Sequence, residues 1–302
     1  MSRPLYVVKP INILPSMILS TSVPEDANPA YNAGTTYGLG QRCHLTSTHK
    51  VYESLQAGNV GHAPNDAASI DWWKEVGDTN RYLMLDGSVS TQTVMSGATS
   101  YYEFKPGQAF SALALVNVTG ITRVVVTVTD PAAGVVYSKS MAFAWVPAGP
   151  DWYSWFFNRR FVTLSFLRDI PSYPLATVRV DFEGAGGVGV LLLGQLNSMG
   201  MGIQNNARIR FQSYSIKQRN EWGDTVLKKR ANSRTISLSL LCENDKIDEY
   251  DRLVSELDGV PCLFSASDGI ESLTRFGFIS SFDILIPYER YSEASLEMES
   301  LT

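Results

Sequence analysis

Residues 275–301, RFGFISSFDILIPYERYSEASLEMESL, constrain the fold more than any other stretch of this chain. Ala294, Leu296 and Met298 alternate with Ser295, Glu297 and Glu299. That period of two marks a strand with one buried and one wet face. A second strand is expected before it, across a turn at Pro287-Tyr288. The alternation therefore predicts a sheet that continues to within one residue of the last one given.

The preceding segments fit the same sheet. In RTISLSLLC, Ile236, Leu238, Leu240 and Cys242 share one face. One helix is expected, over 245–258. Ile247, Tyr250, Val254 and Leu257 form a single apolar stripe at helical spacing. Asn244 or Asp245 is the expected cap, and Gly259 with Pro261 the expected stop. Residues 199–302 thus read as a β-sandwich with one flanking α-helix. The Gly/Asn-rich run at 196–206 marks the boundary before it.

Residues 41–198 read as a second β-sandwich, jelly-roll-like, built from many short strands. Val124, Val126 and Val128 alternate with Arg123, Val125, Thr127 and Thr129, and DPAAG at 130–134 is a hairpin loop. Strands are also expected at 160–168, 175–182 and 187–194, and over Tyr82–Leu85. Residues 1–40, rich in Pro, Ser, Thr, Asn and Gly, read as an extended arm that could supply short strands. The fold class is mainly β.

Composition narrows the function. The charge of −5 argues against nucleic acid as the main partner, because phosphate binding needs a basic surface. The longest strongly apolar run, 188–194, is too short to span a bilayer. The N-terminus, broken by Pro4, Pro10 and Pro15, is unlike a signal peptide. The three cysteines, Cys43, Cys242 and Cys262, are too few and too odd for a disulfide framework and read as buried thiols.

Chemical motifs are weak. GAGGVG at 184–189 has dinucleotide-loop spacing, but a strand follows it instead of a helix, so it reads as a hairpin turn. His44, His49 and His62, with Cys43, match no metal-ligand spacing and read as separate loop residues. Asp71, Glu75, Asp78 and Asp86 could include a glycosidase pair, though acidic loop residues are usually just solvated. No nucleophile elbow or zinc-protease helix occurs. The expectation is no catalytic residue, no metal and no cofactor.

Aromatic and charged clusters point to binding. Trp72, Trp73, Asn80, Arg81 and Asp86 could form a carbohydrate platform, with a ring stacked on sugar C–H groups and polar side chains on the hydroxyls. The competing reading makes both tryptophans core residues. WYSWFF at 152–157 is an aromatic loop better suited to a partner subunit, with Trp152 and Trp155 as its contacts. Segment 208–234 is strongly basic and includes Lys228, Lys229 and Arg230, whereas 245–299 leans acidic. The charges could pair within one domain, or between the basic loop of one subunit and the acidic face of the next.

Three fragments carry a family resemblance: Phe276-Gly277-Phe278, Ile286-Pro287-Tyr288 and Ser295-Leu296-Glu297-Met298-Glu299. They resemble the closing strands of tailed-bacteriophage tail-tip and baseplate proteins of the distal-tail type. DGSVST at 86–91 resembles a loop of galactose-binding-like sandwiches, where Asp86 and Thr91 often have a structural job. The resemblance implies a homo-oligomeric ring, often six-fold, in the virion tail. Such a ring joins the tail tube to hub and receptor-binding proteins and is assembled in the host cytoplasm. The alternatives are a host-glycan-binding adsorption module and a polysaccharide-degrading enzyme.

Overall fold

The computed structural model describes residues 4–143, 145–147, 151–204, 207–219, 222, 224–230, 232–266 and 271–301. The protein is mainly β, with large antiparallel sheets and few helices. The first strands are β1 (Leu5–Pro10), β2 (Ile18–Thr21), β3 (Arg42–Leu45), β4 (Lys50–Ser54), β5 (Trp73–Asp78), β6 (Thr93–Met95) and β7 (Thr99–Phe104). Then follow β8 (Ala112–Thr119), β9 (Arg123–Asp130), β10 (Gly134–Ala142), β11 (Trp145–Pro147), the short α1 (Trp152–Phe156), β12 (Arg159–Phe161), β13 (Leu164–Leu167), β14 (Thr177–Glu183) and β15 (Gly186–Met199). The rest is β16 (Gly202–Ile203), β17 (Arg208–Ser213), β18 (Ile216–Arg219), β19 (Thr225–Lys228), β20 (Asn232–Glu243), α2 (Ile247–Glu256), β21 (Cys262–Ser265), β22 (Thr274–Leu285) and β23 (Tyr291–Ser300).

Two sheets form the first core. The five-stranded sheet, ordered β10-β9-β14-β7-β2, turns Val124, Val126, Val128, Val178, Val180, Phe182, Tyr102 and Phe104 inward. Leu113, Leu115, Leu191 and Leu193 of the main sheet meet them. Every second residue is buried, as a strand with one wet face requires. The expected hairpin at 130–134 joins β9 to β10.

The main sheet runs β13-β8-β15-β1-β21-β22-β23-β20-β16, with β6 and β17 paired to it off that path. Its β15 is long enough to serve two cores. Leu191 and Leu193 enter the first, and Met199, on the same face further along, enters a second built on β20, β23 and α2. β1 pairs with β15 on one side and β21 on the other. The segment expected as an extended arm therefore contributes a central strand, because alternating Leu5, Val7 and Val8 supply apolar side chains to both faces. The sheet continues through the expected boundary near 199.

Several local expectations are corrected. GAGGVG is not a hairpin turn: β14 and β15 belong to different sheets, and 184–185 is the corner between them. The β8–β9 connection crosses beside it, so the two turns lie back to back. A Cβ on Gly186 would stand 2.0 Å from the Thr119 carbonyl oxygen. Leu83–Leu85 is a 3-10 turn instead of a strand, since the amides of Tyr82 and Leu83 both donate to the Thr79 carbonyl. Helix α2 is present, but neither Asn244 nor Asp245 caps it: Lys246 is its N-cap residue, with no side-chain cap. The Asn244 amide group instead donates to the Tyr288 carbonyl at 2.7 Å and accepts from the Ser292 hydroxyl, tying the β22–β23 turn to the helix start.

Residues between β2 and β7 hold a small separate sheet, β3-β4-β5, with a core of Tyr37, Cys43, Tyr52 and Trp73. No helix among the described residues is long and apolar enough to cross a membrane.

Candidate functional site

Two projecting elements carry the most exposed apolar surface. The first is an arm made of β17 and the β18–β19 hairpin. β17 holds one edge of β20, from Arg208 opposite Ser237 to Ser213 opposite Asn232. β18 and β19 pair only with each other. All described residues from 207 to 230 are exposed except Ile216, which is half-buried. Trp222 at the hairpin tip is 88% exposed and Leu227 73% exposed. A lone two-stranded hairpin is marginal in water, and this one buries neither face.

The arm is also cationic. Lys228, at the end of β19, and the following Lys229 and Arg230 are exposed and, among the described residues, make no ion pair. Arg230 donates its backbone amide to the Ser215 hydroxyl at 3.2 Å, which holds the chain where it enters β20. The opposite charge sits on α2, where Asp248, Glu249, Asp251 and Glu256 are exposed. Glu256 is fixed by Lys9 at 2.5 Å, and that ammonium holds its carboxyl below the usual glutamate range.

The second projection is the β11–β12 hairpin. The aromatic loop expected at 152–157 contains α1. The Asp151 side chain accepts from the Ser154 amide at 3.1 Å and from the Ser154 hydroxyl at 2.7 Å, a local N-cap that nucleates the turn. Trp152, 72% exposed, and Phe156 meet edge-on at 6.3 Å; Tyr153 and Phe157 are tilted at 5.1 Å. Trp155 is exposed too. The rings of Trp152, Tyr153, Phe156 and Phe157 touch one another, and with Trp155 they form an exposed aromatic crown on the hairpin.

The carbohydrate candidates are placed differently. Trp73 is only 5% exposed, and its indole N–H donates to the His62 carbonyl at 2.8 Å. Trp72 is half-buried and stacks on the His62 ring at 4.0 Å. The Asn80 side chain exchanges two hydrogen bonds with the backbone of Val94. Arg81 donates to the Val23 carbonyl and pairs with Glu25 at 2.7 Å. Asp86 accepts from the Ser88 amide at 2.6 Å and the Thr91 hydroxyl at 3.1 Å, the structural job expected of that loop. Burial raises its pKa, opposed by those two bonds. The five side chains belong to one region, but their polar groups are spent on its own backbone and ion pairs.

The histidines also have separate partners. His44 bonds the Asn28 carbonyl, His49 bonds Glu25, and His62 stacks on Trp72. Among the described residues no group of three or more His, Cys, Asp or Glu is arranged to hold a metal. All three cysteines are buried free thiols, and burial pushes Cys43 up to about 11 and Cys262 up to about 12. They stay protonated at neutral pH and pack as small apolar groups.

Sequence reasoning found the aromatic crown and the basic segment from composition. It missed that the basic segment is a hairpin. The available signal is weak: two four-residue segments, Ile216–Arg219 and Thr225–Lys228, flank a Gly- and Asp-containing turn, but neither alternates apolar with polar residues. Compared with known protein families and with characterised proteins, the sequence matches none of them.

Proposed function

We propose that this protein is a structural ring subunit of a phage tail tip, of the distal-tail type, and that its arm docks on the next copy head-to-tail. The reading rests on the resemblance of the closing strands and on one observation above others. The β17–β19 arm carries Trp222, Leu227 and Phe211 into solvent with no core of its own. Large exposed apolar patches mark interaction sites. The three consecutive cations at 228–230 repel one another until an anionic surface approaches, and α2 supplies one on every copy. A contact between two different patches closes into a ring when the rotation permits. The aromatic crown, with Trp152 and Trp155, is a second contact, toward another tail or baseplate protein. On this reading the protein assembles in the host cytoplasm, ends in the virion, and its role is mechanical rather than catalytic.

The test is K228E/K229E/R230E. Circular dichroism should match the parent, because exposed loop charges contribute only about 0–1 kcal/mol each to folding. Ring closure should fail, and parent rings should loosen as salt rises, since screening is strong beyond about 10 Å at 0.1 M ionic strength. A parent that stays monomeric at all concentrations, or a variant whose rings keep their size and salt tolerance, would sink the proposal.

A further inference from the structure

The turn between β22 and β23 carries apolar side chains beyond the core. Ile284 and Ala294 still pack into the second core. Past them Leu285, Ile286, Pro287, Tyr288 and Tyr291 are all exposed, Tyr288 by 67%. The turn is held firmly all the same. The Asn244 side chain donates to the Tyr288 carbonyl at 2.7 Å and accepts from the Ser292 hydroxyl. The Asn244 backbone amide donates to the Arg290 carbonyl at 3.1 Å. Exposed apolar patches mark interaction sites, and one that is already rigid loses little freedom on binding.

This turn and the β17–β19 arm sit at opposite ends of one strand. β20 runs from Asn232 to Glu243. Asn232 pairs with Ser213, where β17 ends and the chain leaves for the β18–β19 hairpin. Glu243 pairs with Tyr291, beside the turn. Twelve strand residues at about 3.3 Å each put about 36 Å between the two ends. The arm does not lie back along the sheet, because its described residues are exposed except for half-buried Ile216. An arm therefore leaves the turn of its own copy uncovered.

Charge is divided between the same two ends. Lys228, Lys229 and Arg230 enter β20 from the arm side. Helix α2 starts on the other side, where Lys246 is already held by Glu243 at 2.7 Å. Asp248 and Glu249, in the first turn of α2, are exposed and, among the described residues, make no ion pair. Glu289 and Arg290 of the β22–β23 turn offset each other in charge.

We propose that the β22–β23 turn is the apolar receptor for the arm of a second copy of this chain. Trp222 and Leu227 of one copy pack on Ile286 and Tyr288 of the next, while Asp248 and Glu249 face the cations at 228–230. The inference rests on the head-to-tail reading above and adds which surface receives the arm. Each end supplies what the other lacks: large apolar side chains without a cover, with opposite charge beside them. Aromatic side chains dominate interface cores once water is excluded, and the flanking charges set register and speed encounter. Because the two patches lie at opposite ends of one strand, the contact joins different surfaces of successive copies.

The test uses the full chain in two ways. I286S/Y288S removes apolar surface without adding charge. The bond to Asn244 uses the Tyr288 backbone, so circular dichroism should match the parent. In sedimentation over a concentration series, half-assembly should need at least tenfold more of this variant than of the parent. Its salt dependence should be unchanged, since every charge remains. Separately, T225C and E289C proteins are mixed at high salt, returned to low salt and treated with a short bis-maleimide. The mixture should give a covalent dimer and neither protein alone should; the three native thiols are buried and should not react. A parent that stays monomeric at every concentration would overturn both this inference and the head-to-tail reading. If the parent forms rings but I286S/Y288S assembles at the parent's concentrations, or the mixture gives no covalent dimer, the arm docks elsewhere: this inference falls and the head-to-tail reading stands.

Discussion

At the scale of single residues, small size decides the corner of the first core. Gly120 and Gly186 face each other where two strand pairs cross between sheets. An added Cβ on Gly120 would meet the Ala185 carbonyl oxygen at 2.5 Å, and one on Gly186 would meet that of Thr119 at 2.0 Å. Both obstacles are backbone, which cannot swing aside as a side chain can. Gly186→Ala should therefore destabilise the protein by about 1–3 kcal/mol, as overpacked sites do. A thermal midpoint unchanged from the parent would show that the corner relaxes freely. Trp73 illustrates the opposite case, a large residue fixed by burial and by its bond to His62, and so unsuited to stack on a sugar face.

At the scale of elements, the β18–β19 hairpin has the weakest internal support. It gains ladder hydrogen bonds over four residue pairs and almost no buried apolar area. Elements of this kind open locally at low free energy. Limited trypsin digestion of the dissociated protein should cut first within 216–230, at Lys217, Arg219, Lys228, Lys229 or Arg230. The same bonds should be protected in the assembled state. First cuts in the β9–β10 hairpin instead, identified by peptide mass, would show that the arm is better held than its exposure implies. Helix α2 is the contrasting element. Tyr250 and Leu257 are buried in the second core, and Asn244 at its start anchors the neighbouring turn.

For the whole molecule, β1 is the strand that joins the two halves. Leu5 and Val7 belong to the second core, and Val8, on the other face, packs with residues of β8 and β15. Removing residues 1–10 would expose two strand edges, on β15 and β21, and unpack both regions together. The truncated protein should lose its cooperative unfolding transition in calorimetry, while the full chain should unfold in one transition. Two well-separated transitions in the full chain, with one surviving truncation, would mean that the halves fold independently despite the shared sheet.

The class of fold is legible in the sequence, because alternation is a local property. A strand with one wet face has to write apolar and polar residues in turn, as residues 294–299 do throughout and as 123–129 and 236–242 do with one apolar exception each, Val125 and Leu241. The α2 stripe was legible for the same reason, at a helical period. Burial of Cys242 and Cys262 follows from the core strands they occupy. Which strands become neighbours is set by long-range packing, which no local pattern encodes. Nothing local in 184–189 distinguishes a hairpin turn from a corner between sheets; the partner strands decide it. In residues 1–40 the apolar run Leu5-Tyr6-Val7-Val8 allows a short strand, but only its partners on both sides make it a central one. The tryptophans at 72 and 73 are ambiguous in sequence for a related reason: a large aromatic can fill a core or face a ligand, and for Trp73 the packing of Tyr37 and Tyr52 against it makes it a core residue, while Trp72 stays half-buried. The curl of the main sheet is the clearest case. Arg234 and Arg275 lie far in sequence from β13, and only the closing of the sheet sets them across one hollow from it.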